Sequence, residues 1–143
     1  MSALTLLDSL DFDNNENIQG EIPDSLGSLQ ALRFLDINTN RLTGSLPNAL
    51  CNASSLERID VQKNSMEGAI PSCIGTLNSL QVLALDENGF IGTIPTNFGQ
   101  LDSLRKFSFF IDFFLYNPMK SIHFQAFLTS LTYFFRIPHS QHE

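Results

Sequence analysis

The chain has 143 residues, a length typical of a single domain. Hydrophobic residues make up 43% and charged residues 16%, which excludes a disordered or collagen-like chain. Acidic residues outnumber basic ones by 15 to 8, and the formal net charge is −7. This balance argues against a nucleic-acid-binding protein, because such proteins need a basic surface that displaces counterions from phosphates.

A repeat of about 24 residues runs from residue 7 to residue 103. Each unit opens with a leucine, followed at fixed spacings by apolar residues, an asparagine, a glycine and an apolar residue–proline pair. We divide this region into four units, residues 7–31, 32–55, 56–79 and 80–103. The first unit has one extra residue, which a loop can absorb. Residues 104–143 begin as a degenerate fifth unit and continue as a divergent tail rich in phenylalanine.

Each unit begins with a predicted β-strand, because apolar and polar residues alternate after the leading leucine. In the second unit, Leu35 and Ile37 point into a core and Asp36 points outward. A single unit cannot bury its apolar side, but stacked units share a continuous core. We therefore expect the strands of successive units to pair in parallel.

An asparagine ends each predicted strand. A buried amide can satisfy backbone groups of the turn and of the next unit, so we expect these asparagines to form a structural ladder. The ladder residues are Asn15, Asn40, Asn64 and Asn88. Further along each unit, Gly44 and its equivalents permit a tight bend, and Pro47 and its equivalents predict an irregular outer arc.

The unit LxxLxLxxNxLxGxIPxxLGxLxx resembles the plant-type leucine-rich repeat. The resemblance implies an α/β-type repeat solenoid, a right-handed coil with a short parallel sheet on its concave face and irregular or 3-10 turns outside. It also implies a non-catalytic module that binds a protein or peptide, as in a fragment of a receptor-like protein or receptor-like kinase ectodomain. The alternatives are a stand-alone scaffold or inhibitor-like repeat protein and an incomplete gene fragment without independent activity.

The outward strand positions vary between units, and in families of this type the concave face is the usual partner-binding surface. Three aspartates stack in the middle column, so we expect either a solvated acidic face or a surface for a basic peptide or protein. A calcium site has less support, because hard cations need six or more converging oxygens. The candidate binding residues are Asp11, Asp13, Phe34, Asp36, Asn38, Arg58, Asp60, Gln62, Val82 and Asp86.

Two cysteines and one sequon bear on the compartment. Cys51 and Cys73 lie in adjacent units, where they form either a disulfide, if their Cα atoms come within about 7 Å, or two small, partly buried hydrophobic residues. Asn52 begins an Asn-Ala-Ser sequon for glycosylation. These features favour an extracellular or cell-surface location, with a cytoplasmic one as the alternative.

The repeats lack histidine, and the sequence has no phosphate-binding loop or common catalytic motif. We therefore predict no enzyme activity, no cofactor, no metal site and no nucleic-acid partner, and membrane association only through other parts of a longer protein. The tail has three interpretations: a C-terminal cap, translated non-coding or frame-shifted sequence, or a membrane-associated segment. The chain opens within a repeat, so we expect a fragment of a longer protein.

Overall fold

The computed structural model describes residues 6–109 and the backbone of residues 114–116. Each coil consists of a strand, a second short strand and a 3-10 segment, labelled η. In chain order the elements are β1 (Ser9–Asp11), β2 (Gln19–Glu21), η1 (Asp24–Ser28), β3 (Phe34–Asp36), β4 (Arg41–Thr43), η2 (Asn48–Asn52), β5 (Arg58–Asp60), β6 (Glu67–Ala69), η3 (Ser72–Thr76), β7 (Val82–Ala84), β8 (Gly89–Ile91), η4 (Thr96–Gln100), β9 (Lys106–Ser108) and β10 (Phe114–Tyr116).

The main sheet has the strand order β1-β3-β5-β7-β9-β10. Its first five strands are parallel, and β10 pairs antiparallel with β9. The register aligns the predicted inward residues on successive strands, namely Leu10, Leu35, Ile59, Leu83 and Phe107. The predicted fold class, a repeat solenoid with a parallel sheet, is confirmed.

The core is a continuous column of side chains that passes through all the coils. Leu35, Ile59 and Leu83 are 0% exposed, and each such side chain contributes about 1.5–3 kcal/mol through burial. Towards the last coil the core becomes aromatic: the Phe98 and Phe107 rings meet edge to face with centroids 5.8 Å apart. Successive coils therefore bury one another's apolar sides.

The first coil is less well covered than the others. Phe12 occupies an inward position of the repeat, yet its side chain is 49% exposed, and Leu10 is only partly buried. Within the described residues this coil has a neighbour on one side only, which explains the difference from the fully buried equivalents Ile37 and Val61.

Each 3-10 segment starts directly after the proline of its unit, with the proline carbonyl accepting the first hydrogen bond of the turn, as in Leu50 N–H to Pro47 O at 3.0 Å. This confirms the predicted 3-10 turns. The outer arc is more regular than predicted, because β2 pairs with β4 and β6 with β8 in parallel. Each of these short strands contains or is followed by a glycine with positive φ, such as Gly44 after β4, whose φ of +74° is a left-handed value that L side chains rarely adopt.

Cys51 and Cys73 form a disulfide, with their Cα atoms 5.8 Å apart. Of the two states that the sequence left open, the structure contains the bonded one, and it joins the second coil to the third. Apart from the β10 backbone, the tail lies outside the described residues, and so do the three interpretations of it. No helix in the described part of the chain has the length and apolar composition needed to cross a membrane.

Candidate binding surface on the main sheet

The face of the main sheet that points away from the core, here called the strand surface, collects the variable residues of all the coils. The parallel register arranges them in three columns, with neighbouring strands about 4.8 Å apart. The first column contains Ser9, Phe34, Arg58, Val82 and Lys106, and the second contains Asp11, Asp36, Asp60, Ala84 and Ser108. The third follows the strand ends and contains Asp13, Asn38, Gln62 and Asp86.

The acidic middle column is partly neutralised by the protein itself. Arg58 Nη2 lies 2.6 Å from Asp60 Oδ2 and 3.2 Å from Asp36 Oδ2, so one guanidinium bridges two neighbouring strands. The sequence left open whether solvent or a basic ligand would compensate this charge. The structure shows that Arg58, itself predicted as a contact residue, does so for two of the three aspartates.

Asp60 and Asp86 were predicted to face outward for contact with a partner, but each is only 3% exposed. Asp60 is held by the Arg58 guanidinium. Asp86 Oδ1 accepts a hydrogen bond from the Ser108 hydroxyl, whose oxygen also lies 3.3 Å from Gln62 Nε2. Pairing with Arg58 of its own coil and with Ser108 of the next coil, respectively, therefore removes Asp60 and Asp86 from the accessible part of the strand surface.

The surroundings of Asp60 raise the pKa of its carboxyl group above the ordinary value. Burial is the main cause, because it disfavours the charged form, and the nearby Asp36 carboxylate adds to it. The Gln62 backbone N–H, Arg58 and Lys106 oppose the increase. The raised pKa shows that the Arg58 ion pair does not fully offset the cost of burying this carboxylate.

Two of the predicted acidic residues, Asp11 and Asp13, remain exposed. Asp11 Oδ1 accepts a hydrogen bond from the Asp13 backbone N–H at 3.2 Å, and Asp13 Oδ2 accepts one from Asn14 Nδ2 at 2.7 Å. Neither carboxylate has a cationic partner among the described residues. Phe34, Asn38 and Val82 lie further along the strand surface and are half-buried.

A second ladder of polar side chains, missed in the sequence analysis, lies one residue before each strand. Arg33 pairs with Asp8 at 3.5 Å and with Glu57 at 2.8 Å, and Glu57 accepts a hydrogen bond from Gln81 at 3.2 Å. The Arg33 guanidinium also stacks 4.8 Å from the centroid of Phe34. The sequence did contain a signal for this second ladder, because Asp8, Arg33 and Glu57 recur at the repeat interval with alternating charge. Because these pairs are exposed, each contributes little to stability.

The asparagine ladder connects neighbouring coils from within. The Asn64 side chain donates to the carbonyls of Ile37, Val61 and Gln62 and accepts from the Leu42 N–H. Asn88 repeats this arrangement one coil later, also accepting a backbone N–H.

At the first joint the asparagine ladder is incomplete. Asn40 donates to three carbonyls, but its buried Oδ1 has no hydrogen-bond partner among the described residues. In the first coil the Ile18 N–H instead donates to Asn15 O at 2.9 Å. The extra residue of the first unit thus alters this turn, and Asn15 itself is exposed.

No group of three or more potential metal-ligating side chains occurs within residues 6–109. The candidate site is a surface, with charged, amide and apolar side chains held in columns by the parallel sheet. Such an arrangement can recognise an extended chain or the surface of another protein through side-chain contacts on several strands.

Two stretches of the sequence, residues 31–53 and 79–101, match the family model for the Leucine Rich Repeat. Together with the four coils and their plant-type consensus, these matches define the class: the chain carries leucine-rich repeats of the plant type. A search of curated proteins finds no significant match.

The chain is also similar to parts of solved plant receptor structures. It is 41% identical to part of the PEPR1–AtPEP1 complex, with a TM-score of 0.67, and the match covers 69% of this chain and 14% of that one. For the BIR3–SERK2 complex from Arabidopsis thaliana the identity is 34%, the TM-score 0.67 and the coverage 71% and 54%.

The ectodomain of the Arabidopsis receptor kinase HAESA, solved with an IDA peptide hormone ligand, is a third match. It is 32% identical, with a TM-score of 0.67, and the coverage is 71% of this chain and 17% of that one. In all three comparisons this chain spans only part of the length of the chain that it matches.

Proposed function

We propose that the described coils are a non-catalytic module that binds a peptide or protein on the strand surface, as part of a receptor-like recognition protein. One observation carries this proposal. The repeated positions of every coil serve the core, the backbone ladder or the turns, whereas the parallel register gathers the variable side chains into columns on one face. A face of this kind is free to vary with the partner.

The similar solved structures support a peptide or a protein as the class of partner. The HAESA structure contains a peptide hormone ligand, and the BIR3–SERK2 structure is a complex of two proteins. The peptide hormone and the second protein are partners of the compared proteins. For this chain we propose a partner of the same general class, a peptide or a protein.

If the partner is basic, we expect its positively charged groups to bind at the first coil. Asp11 and Asp13 are exposed and have no cationic partner among the described residues, whereas Asp36 and Asp60 already form ion pairs with Arg58. An ion pair with a ligand gains most where the protein does not already supply the counter-charge.

We predict that Asp11→Lys combined with Asp13→Lys weakens binding of a basic peptide. The probe is a fluorescein-labelled decapeptide of alternating glycine and lysine, compared with its glycine–glutamate counterpart, and the readout is fluorescence anisotropy at low salt, where screening is weakest. The natural protein should prefer the lysine peptide, and the double variant should lose about tenfold in affinity, since two favourable charge contacts become repulsive.

A matched control separates this local effect from net charge. Asp24→Lys with Glu67→Lys makes the same change at exposed positions of η1 and β6, away from the strand surface, and should keep the preference. Equal loss in both variants, or no preference in the natural protein, would remove the basic partner from the proposal. Reversal at Asp36 and Asp60 is a poorer test, because Arg58 would then lie among cations.

We also propose that the protein functions on the extracellular side of a membrane. Asn52 and Ser54 of the sequon are exposed at the end of η2, and the neighbouring Cys51 is disulfide-bonded, as is usual in oxidising compartments.

The predicted result is an N-glycan on Asn52 in protein secreted from a plant or insect cell line. Endoglycosidase treatment should then increase gel mobility, whereas the Asn52→Gln variant should migrate at the deglycosylated position before and after treatment. Identical mobility of the untreated natural protein and the variant would argue for the cytoplasmic alternative.

A further inference from the structure

The 3-10 segments of neighbouring coils meet at a recurring pair of positions. In three coils, glycine follows the central apolar residue of the segment; these glycines are Gly27, Gly75 and Gly99. The second coil is the exception, because Cys51 follows Leu50 at the same position. One joint of the solenoid therefore lacks the residue that the repeat places there.

The glycine is required by close contact with the next coil. A Cβ atom on Gly27 would lie 1.9 Å from the Ala49 carbonyl oxygen, and one on Gly75 would lie 2.4 Å from Asn97 Nδ2. Both distances are far below van der Waals contact. A side chain at Gly27 would meet backbone and force η1 and η2 apart, whereas one at Gly75 would require the Asn97 side chain to move. In each case the contacted residue lies 22 positions further along the chain.

Cys51 and Cys73 have the same relationship, since the disulfide spans a sequence separation of 22. Cys73 thus occupies the position of Ala49 and Asn97. Because Cys51 has a side chain, η2 and η3 pack less closely against each other than η1 against η2 or η3 against η4. A covalent bond bridges the gap that the missing glycine creates.

The same two coils meet on the strand surface, where Arg58 of the third coil pairs with Asp36 of the second at 3.2 Å. The relative position of these coils therefore sets the alignment of Phe34 and Asp36 with Arg58. Both cysteines are only partly buried, which leaves the disulfide open to a small dithiol.

We infer that the Cys51–Cys73 disulfide replaces the glycine contact at this one joint, so that the rigidity of the joint depends on the redox state. A dithiol supplies two electrons and two protons: the S–S bond breaks, two cysteine thiols form, and the dithiol becomes a disulfide. After reduction neither the bond nor the close glycine contact holds η2 against η3. The inference concerns the fold and stands apart from the proposed binding.

Hydrogen exchange measured by mass spectrometry on the whole chain tests the inference, with and without dithiothreitol. The informative amides are those of Leu50 and Ile74 in η2 and η3 and those of Ala53 and Leu77 directly after these segments, all of which form local hydrogen bonds of the 3-10 turns. Reduction should accelerate their exchange about tenfold through local opening, while the Leu26 and Phe98 amides of η1 and η4 change much less.

Two variants distinguish the bond from the contact. Cys51→Gly with Cys73→Ala reproduces the Gly27–Ala49 pair of the preceding joint, and should keep η2 and η3 protected in the presence or absence of dithiothreitol. Cys51→Ala with Cys73→Ala lacks both the bond and the glycine, and should exchange like the reduced natural protein.

Several outcomes would overturn the inference. Unchanged exchange in η2 and η3 after complete reduction would show that the bond does not hold the joint, and this measurement needs no variant to fold. Equal exchange in the two variants would show that the glycine contact has no part in it. Acceleration that is equally large in η1 and η4 would indicate loss of global stability instead of opening at one joint.

Discussion

Asn64→Ala is expected to lower the free energy of unfolding by about 3 kcal/mol, because a partly buried side chain that makes four hydrogen bonds between two coils is lost. The side chain donates to the carbonyls of Ile37, Val61 and Gln62 and accepts the Leu42 N–H. Alanine leaves these groups without their partner inside the fold. Urea unfolding followed by circular dichroism measures the change.

Asn15→Ala is the matched control for this variant. Asn15 holds the equivalent position in the first coil, but its side chain is exposed and donates only to Phe12 O and Asp13 O within its own turn. Water can replace those bonds, so the expected loss is below about 1 kcal/mol. Equal losses in the two variants would mean that Asn64 acts as an ordinary turn residue and does not connect coils.

Gly27→Ala is expected to cost about 3 kcal/mol, at the upper end of what overpacking usually causes. The new Cβ would meet the backbone of Ala49, with the carbonyl oxygen 1.9 Å away and the carbonyl carbon 2.5 Å away. A backbone group cannot rotate aside as a side chain can, so η1 and η2 must separate. The shift in the thermal midpoint measured by circular dichroism reports the cost.

Two further glycines separate this clash from other effects. Gly20 has a φ of +99° but nothing within 4 Å of an added Cβ, so Gly20→Ala should show only backbone strain of about 1–2 kcal/mol. Gly75→Ala would meet the side chain of Asn97, and its cost should fall when Asn97→Ala is also present. A Gly27→Ala variant as stable as the natural protein would disprove the close-contact interpretation on which the Cys51 argument depends.

The repeated part of the fold could be predicted because each repeated residue has a local and periodic reason to be there. Leu35, Ile59 and Leu83 recur at a constant interval, and only stacking in register buries them all. The prolines predicted an irregular outer arc and the resemblance implied 3-10 turns, and each 3-10 segment begins directly after its proline. The short strands β2, β4, β6 and β8 were missed, because three residues with at most one buried side chain leave too weak an alternation to identify a strand.

The candidate site was predicted less completely. The columns follow from the register, so the position of Asp11, Asp36 and Asp60 on one face could be foreseen. The accessibility of each carboxylate could not be predicted, since it depends on the positions that long side chains of the same and the neighbouring coils adopt. Arg58 pairs with Asp60 of its own coil and with Asp36 of the preceding coil, and the contact with Asp36 exists only once the two coils have packed.

The amino-acid sequence by itself determined that this protein is a stack of leucine-rich coils with a variable face, because periodic burial admits one arrangement of the repeats. The tertiary structure alone decided which acidic residues stay exposed and that Cys51 bonds to Cys73. Both outcomes depend on distances between side chains more than 20 positions apart, and such distances exist only once neighbouring coils have packed.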